Sequence, residues 1–504
     1  VKGKGSFLGI IEKIPYLKKL GITALELQPA YEFLELEEQE EQEGREGQEE
    51  RLNYWGYKRA YYYAPKNAYA CCENPVEEFK DMVKALHRNN MEVIMQFFFP
   101  SEIPGYEILE IIRYWKLTYH VDGFHFLGQG IPSELIAADP LLSECKLFFE
   151  HINTELLPKR PENENRNVAL YREDYKNLMR CFLKGDEGIL MSAVSAIKNN
   201  PAQIGYVNFF SNYSGFTLQD MVAYENKHNE DNGEQNQDGS NENHSWNCGI
   251  EGNSRKKKVN DLRGKQVKNA LALLFLSQAT PLIFMGDEFG NSQKGNNNPY
   301  CQDNDTTWLN WKDLTKNQER YDFTAKLIAF RKKYKILHMR NEMSLMDSLS
   351  CGYPDLSFHG EESWHPKFDY NKHHVGLLYC GKYEKVEIED KKKRKSKPFM
   401  LQQMLTETFI YIGINMHWET QALSIPKLPK GQKWKLVFAT DDKGIENVEL
   451  ENKELENKEL ENKEVENLEV AGGALLVENR KTKKWLLSPR SIALFVSEII
   501  ENRV

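Results

Sequence analysis

The chain lacks any apolar run approaching the roughly 18 residues that cross a bilayer. Its start, Val1-Lys2-Gly3-Lys4, carries no hydrophobic stretch of the secretory-leader kind. A cytoplasmic location is therefore expected, although Val1 is not an initiator methionine. Positive charge is not in excess either. Lys and Arg number 66 against 75 Asp and Glu, a net charge of -9 with a pI near 5.9. That balance disfavours a nucleic-acid partner, because phosphate binding wants a basic surface, and suits a neutral ligand better. The eight cysteines (71, 72, 145, 181, 248, 301, 351, 380) lack metal-type spacing, and the one close pair, Cys71-Cys72, is adjacent and poorly placed to share a zinc ion. Reduced, mostly buried thiols are expected.

What is present is enough apolar material for real cores: 40% hydrophobic residues over 504 positions, room for one large domain and a smaller one. The first two thirds alternate helical and strand patterns, the mark of parallel βα units. Residues 7–20 place Phe7, Ile10, Ile11, Ile14, Leu17 and Leu20 at helical spacing, stop at Gly21 and lead into the strand 22–27. The same alternation predicts helices at 76–88, 106–118, 131–138 and 260–278, with strands at 93–95, 123–126, 147–149, 206–209 and 281–285. Such continuous apolar runs suit buried parallel strands. The stretch 155–204 reads as mainly helical (170–183 and 187–198), leaving the strand expected there unplaced.

Two low-complexity segments, 35–51 and 449–466, and the basic run 391–397 read as solvated loops. A helix over 317–333 links to a region of short alternating strands at 375–378, 409–414, 434–437, 475–477, 485–487 and 491–496, expected to pair into an antiparallel sandwich.

Several motifs carry chemistry. Asn53-Tyr54-Trp55-Gly56-Tyr57, Val121-Asp122-Gly123-Phe124-His125-Phe126-Leu127, Lys146-Leu147-Phe148-Phe149-Glu150, the run from Gly215 to Gly252 and Gly286-Asp287-Glu288-Phe289-Gly290 together resemble the isoamylase and glycogen-debranching proteins of the α-amylase superfamily, glycoside hydrolase family 13. The resemblance covers most of residues 5–312 and, more loosely, the C-terminal strands. It implies a (β/α)8-type barrel followed by an antiparallel β-sandwich, with domains at 1–340 and 341–504. Nothing before residue 7 has room for the strand that should precede the first helix, so a barrel lacking its first strand in this chain is expected.

Barrel enzymes carry their reactive groups at the C-terminal strand ends, and there this sequence departs from the family. The family's Asp-Gly-Phe-Arg-Phe-Asp becomes Asp122-Gly123-Phe124-His125-Phe126-Leu127, so the nucleophile position holds Leu127. The Asp, Asn and His after the strand at 93–97 are replaced in Gln96-Phe97-Phe98-Phe99-Pro100-Ser101, and the family's His-Asp becomes Tyr213-Ser214. Glu150 alone matches a catalytic carboxylate, the general acid; its other reading is a strand-end carboxylate paired with a cation. Asp122 and Asp287 are conceivable replacement nucleophiles. The resemblance implies sugar contacts at Tyr57, Trp55, His125 and Tyr213, against the alternatives of an aromatic core wall for the first two and space filling for His125. No cofactor is implied, and no metal, since the position of a calcium-binding Asn in the wider family is Pro100. The short segment 100–114 implies an open cleft. A non-hydrolytic protein that binds branched α-glucan, with an active debranching enzyme as a candidate partner, is the leading expectation. An active glycoside hydrolase cleaving α-1,6 branch points and a scaffold without sugar affinity are the rivals.

Overall fold

The computed structural model describes residues 3–36, 52–158, 165–340, 342–384, 408–441 and 484–500. The segments 391–397 and 449–466, the strand expected at 475–477 and most of 35–51 lie outside the described residues.

Helix α1 (Phe7–Leu20) starts where the Ser6 hydroxyl accepts from the Gly9 amide at 3.2 Å and ends at Gly21, whose φ of 100° is a left-handed conformation that glycine adopts without strain. The chain then enters β1 (Ala24–Leu27), passes a small antiparallel pair, β2 (Tyr31–Glu32) and β3 (Tyr61–Pro65), and reaches α2 (Pro75–Arg88). Asn74 caps α2 through its side chain, and Pro75 takes the first turn, where a missing amide costs nothing. Then come β4 (Glu92–Phe99), α3 (Gly105–Tyr119), β5 (Gly123–Gly128), α4 (Ser133–Ala138), β6 (Lys146–Phe149), β7 (Val168–Tyr171), α5 (Glu173–Lys184), α6 (Leu190–Lys198), β8 (Gly205–Asn208), α7 (Lys257–Leu276) and β9 (Thr280–Pro281).

These strands form one curled parallel sheet of seven, ordered β1-β4-β5-β6-β7-β8-β9. The strand left unplaced in 155–204 is β7, so the helix expected from residue 170 begins only at Glu173. Sheet edges β1 and β9 are not paired with each other. Helix α1 stands at this opening: the Tyr16 hydroxyl donates to Glu288, and Tyr321 donates to the Tyr16 carbonyl at 3.2 Å.

Side chains alternate across the sheet. Phe97, Phe99, Phe124 and Phe126 face outward into a core shared with Phe79, Ile111 and Trp115 of α2 and α3. Ile94, Phe148, Ala169, Tyr171, Val207 and Phe209 fill the barrel interior. Helices α8 (Lys312–Lys316) and α9 (Gln318–Lys333) lead to the sandwich. Its main sheet contains β10 (Leu356–His359), β11 (His374–Cys380), β12 (Phe409–Asn415), β14 (Gln432–Ala439) and β16 (Ser491–Ile499), and β13 (Gln421–Ser424) pairs with β15 (Lys484–Leu487). Helix α7 anchors it to the barrel: Asn269 donates to the Arg490 carbonyl at 2.9 Å and accepts from Thr440 at 2.5 Å, and Lys265 donates to the Pro489 carbonyl at 2.7 Å.

The expectation of mostly buried thiols needs correction. Cys145, Cys248 and Cys380 are buried, Cys71 and Cys72 are exposed, and the others are half-buried. All eight are free.

Burial pushes the Glu288 carboxyl up to about 7, despite the Tyr16 hydrogen bond that opposes the shift. A folded-state value above the unfolded one means that the native protein holds a proton the unfolded chain has lost. The contribution is thus fully present below pH ~4.5 and lost as pH rises through about 7. Denaturant melts at pH 5 and pH 7 should therefore show a slope that Glu288→Gln flattens by about 2–3 kcal/mol. An unchanged slope in the variant would mean that Glu288 is ionised in the folded protein.

Candidate functional site

The C-terminal end of the barrel is built on a half-buried carboxylate. Glu26 faces inward from β1, and its Oε1 accepts from Gln96 Nε2 at 2.7 Å and lies 2.8 Å from His125 Nδ1. Its Oε2 accepts from the Tyr171 hydroxyl at 3.3 Å. His125 stacks on Tyr171 with ring centres 4.1 Å apart, and its Nε2 has no hydrogen-bond partner. Burial, then the Glu26 charge, holds the Tyr171 phenol well above its ordinary value.

An aromatic wall rises from this floor. Asn53 accepts through Oδ1 from the amides of Trp55 (3.0 Å) and Gly56 (3.3 Å), fixing the turn that carries Trp55. Gly56 has a φ of 73°, and a Cβ there would meet the Phe33 ring at 2.5 Å, so only glycine fits. The rings of Trp55, Tyr57 and Tyr213 pack together, with centres 4.9–5.9 Å apart. The Tyr57 hydroxyl donates to Gln96 Oε1 at 2.5 Å and accepts from Gln28 at 3.3 Å, which ties the wall to the floor. Next to the wall opens a cleft of about 170 Å³, lined by Gln28, Trp55, Tyr213, Met285, Gln293 and Gln302 among others. Gln293 is 2% exposed and its Oε1 has no partner, which leaves an acceptor free for a ligand hydroxyl.

Of the residues singled out from sequence, Trp55, Tyr57 and Tyr213 meet in that wall. His125 does not reach the surface. It is fully buried one layer below, held by Glu26, because its place on β5 points into the barrel interior beside Gln96 and Phe148. Leu127, two residues further along β5, faces the same way and is 4% exposed. Glu150 is exposed just beyond β6 and makes no ion pair with a described residue, so its reading as half of a packed salt bridge fails. Burial, then the carboxylates of Glu150, Glu26 and Glu173, raise the Tyr213 phenol above its ordinary value, which puts all three in its neighbourhood. Glu173 is held by Lys176 at 2.5 Å.

The conceivable replacement nucleophiles are committed elsewhere. Asp122 lies at the start of β5, accepting from the Val93 amide at 2.8 Å and 2.7 Å from His87 Nε2. Asp287 is 1% exposed and accepts from the Leu218 and Phe284 amides and the Ser211 hydroxyl. Segment 100–104 joins β4 to α3 directly. The polar run after Gly215 is stitched down by side-chain amides: Asn229 donates to Asn297 at 2.9 Å, Asn297 to Asn243 at 2.8 Å, and Asn298 to Asp238 at 2.9 Å.

Glu26, Gln28, Gln96 and Tyr171 were not singled out from sequence as site residues. The available signal for the first was a lone carboxylate inside an apolar strand, on the face that alternates with Leu25 and Leu27.

The α-amylase catalytic-domain family model matches residues 1–100. The "Glycogen operon protein GlgX homolog" of Mycobacterium tuberculosis is 29% identical over 409 residues, covering 67% of this chain and 56% of that protein. The glycogen debranching enzyme of Erwinia tasmaniensis is 33% identical over 407 residues, covering 67% of this chain and 60% of that protein. The chain thus spans little more than half the length of the curated relatives it matches. Among solved structures, the catalytic module of the glycogen-degrading pneumococcal virulence factor SpuA superposes with a TM-score of 0.64 at 13% identity, over 98% of this chain and 75% of that one. Among the described residues, no helix is long and apolar enough to cross a membrane. The barrel order, the motifs at its strand ends and these likenesses agree: the chain belongs to the isoamylase and glycogen-debranching type of the α-amylase superfamily, glycoside hydrolase family 13.

Proposed function

We propose that this chain is a non-hydrolytic α-glucan-binding protein of glycogen or starch metabolism, a barrel of residues 1–340 with a sandwich of 341–504, acting beside an active debranching enzyme. One observation carries the reading. Where the family resemblance places a nucleophilic carboxylate, the inward face of β5 presents the buried aliphatic Leu127. Retaining hydrolysis needs two carboxyl groups about 5 Å apart, one to attack the sugar and one to protonate the leaving oxygen. Glu150 could donate a proton, but Glu26 is occupied by His125, Gln96 and Tyr171 on the barrel floor, and Glu173 is paired with Lys176. Loss of a covalent nucleophile costs on the order of a million-fold in rate, by analogy with other such enzymes.

Binding asks for different groups, and those are in place. Trp55, Tyr57 and Tyr213 offer aromatic faces to the apolar face of a pyranose ring, and the amides of Gln28, Gln293 and Gln302 offer donors and acceptors to its hydroxyls.

In native gels the purified protein should be retarded by glycogen, and in solution it should release no reducing ends from glycogen or pullulan. Trp55→Ala should weaken retardation about tenfold. Hydrolysis that survives Leu127→Ala and dies with Glu150→Gln would establish the α-1,6 hydrolase instead, whereas unretarded migration would favour a scaffold without sugar affinity.

A further inference from the structure

Away from the barrel mouth, aromatic side chains gather where the sandwich meets the loop that follows α5. Trp418, in the turn after β12, is 57% exposed, and its indole stacks on the His417 imidazole with ring centres 4.0 Å apart and planes 24° from parallel. His373 lies beside both, 5.7 Å from His417 and 6.0 Å from Trp418 between ring centres. It is 2% exposed, yet neither of its ring nitrogens has a hydrogen-bond partner. Three residues earlier, Tyr370 is largely exposed; its carbonyl accepts from the Gly188 amide at 2.7 Å, and its ring lies so close to Gly188 that a Cβ there would meet it at 2.7 Å.

A buried imidazole normally satisfies both nitrogens, because leaving one desolvated and unpaired costs about 1–3 kcal/mol. His373 leaves both open next to a solvent-facing indole. Burial, then His417 and Arg490, lower the His373 pKa, which keeps the ring neutral, with one donor and one acceptor. His417 Nδ1 accepts from the Glu419 amide at 3.0 Å and lies 3.1 Å from Gln421 Nε2, so its proton sits on Nε2. The cation at hand is already engaged: Arg490 donates to the Lys184 carbonyl at 2.8 Å and lies over the Trp246 ring at 4.4 Å. The surface therefore combines a rigid aromatic face with neutral donors and acceptors. An anionic ligand finds no free cation among these groups, whereas a pyranose can lay its apolar face on the indole and turn its hydroxyls to the imidazoles.

We propose that Trp418, Tyr370, His417 and His373 form a second α-glucan-binding platform on the sandwich, separate from the barrel cleft. It rests on the reading of the protein as a glucan binder and adds where a long or branched chain makes its second contact. Two sites on one polymer raise the effective concentration at each, so either lost alone weakens polymer binding more than oligosaccharide binding.

The test is electrophoresis of the full chain through gels containing glycogen, with Trp418→Ala, Trp418→Phe and Tyr370→Ala compared with the original protein and with Trp55→Ala. Trp418→Ala should keep the original circular dichroism and need about three- to tenfold more glycogen for half-maximal retardation, with Trp418→Phe recovering most of the loss. Should Trp418→Ala unfold, Tyr370→Ala carries the same expectation. Equal retardation of the folded variants and the original protein would overturn the platform while leaving the barrel reading intact. No retardation of the original protein would overturn both.

Discussion

Arg331→Met should lower the unfolding free energy by about 3–5 kcal/mol, the largest single-site loss expected outside the apolar cores. The Arg331 guanidinium, 8% exposed in α9, donates to the carbonyls of Phe275 (3.0 Å), Gln278 (2.8 Å), Ala279 (2.7 Å), Leu337 (2.9 Å) and Ser277. Those carbonyls belong to the chain leaving α7 for β9 and to the turn that follows α9, where no ladder or helix supplies amide donors. Methionine keeps the apolar stem and removes every donor at once, which leaves buried acceptors desolvated. Urea melts monitored by tryptophan fluorescence would measure it. A loss below about 1 kcal/mol would mean that water or backbone relaxation satisfies the carbonyls without the side chain.

The order of barrel elements was legible because each buried strand is a short apolar run following an amphipathic helix, as at Val93-Ile94-Met95 after α2. β7 escaped for a physical reason. Its four residues, Val168–Tyr171, run straight into Glu173–Lys184, whose helical periodicity swallows them. β10 and β13 escaped as well: Leu356–His359 and Gln421–Ser424 mix apolar with polar residues and carry no continuous apolar run. At the site, aromatic clustering in Trp55-Gly56-Tyr57 was visible from composition, but its partner Tyr213 comes from more than 150 residues away, and only the fold brings the rings together. His125 was misplaced because a motif gives chain position and not depth. One residue of strand alternation separates the barrel interior from the outer, helix-facing side, and two residues along β5 separate layers of the interior.

That floor supplies the second large effect. Glu26→Leu should destabilise the protein by about 3 kcal/mol, because His125 Nδ1, Gln96 Nε2 and the Tyr171 hydroxyl all lose their shared acceptor inside the barrel. His125→Leu alone leaves the Glu26 carboxylate with the Gln96 and Tyr171 donors. When both are replaced, the carboxyl group and the buried imidazole disappear together, along with the unpartnered Nε2. The double variant should therefore be destabilised less than the sum of the two singles, by about 1–3 kcal/mol of coupling. Strict additivity in that cycle would mean that the 2.8 Å contact carries no net interaction, and that Gln96 and Tyr171 alone hold Glu26 in place. Glucan affinity provides an independent readout of the same network. The Tyr57 hydroxyl donates to Gln96 Oε1, and Gln96 Nε2 donates to Glu26, so freeing Gln96 loosens the aromatic wall from below. Glu26→Leu should accordingly weaken retardation by glycogen even though its side chain lies below the binding surface, and His125→Leu, which leaves the Gln96 bond intact, should weaken it less.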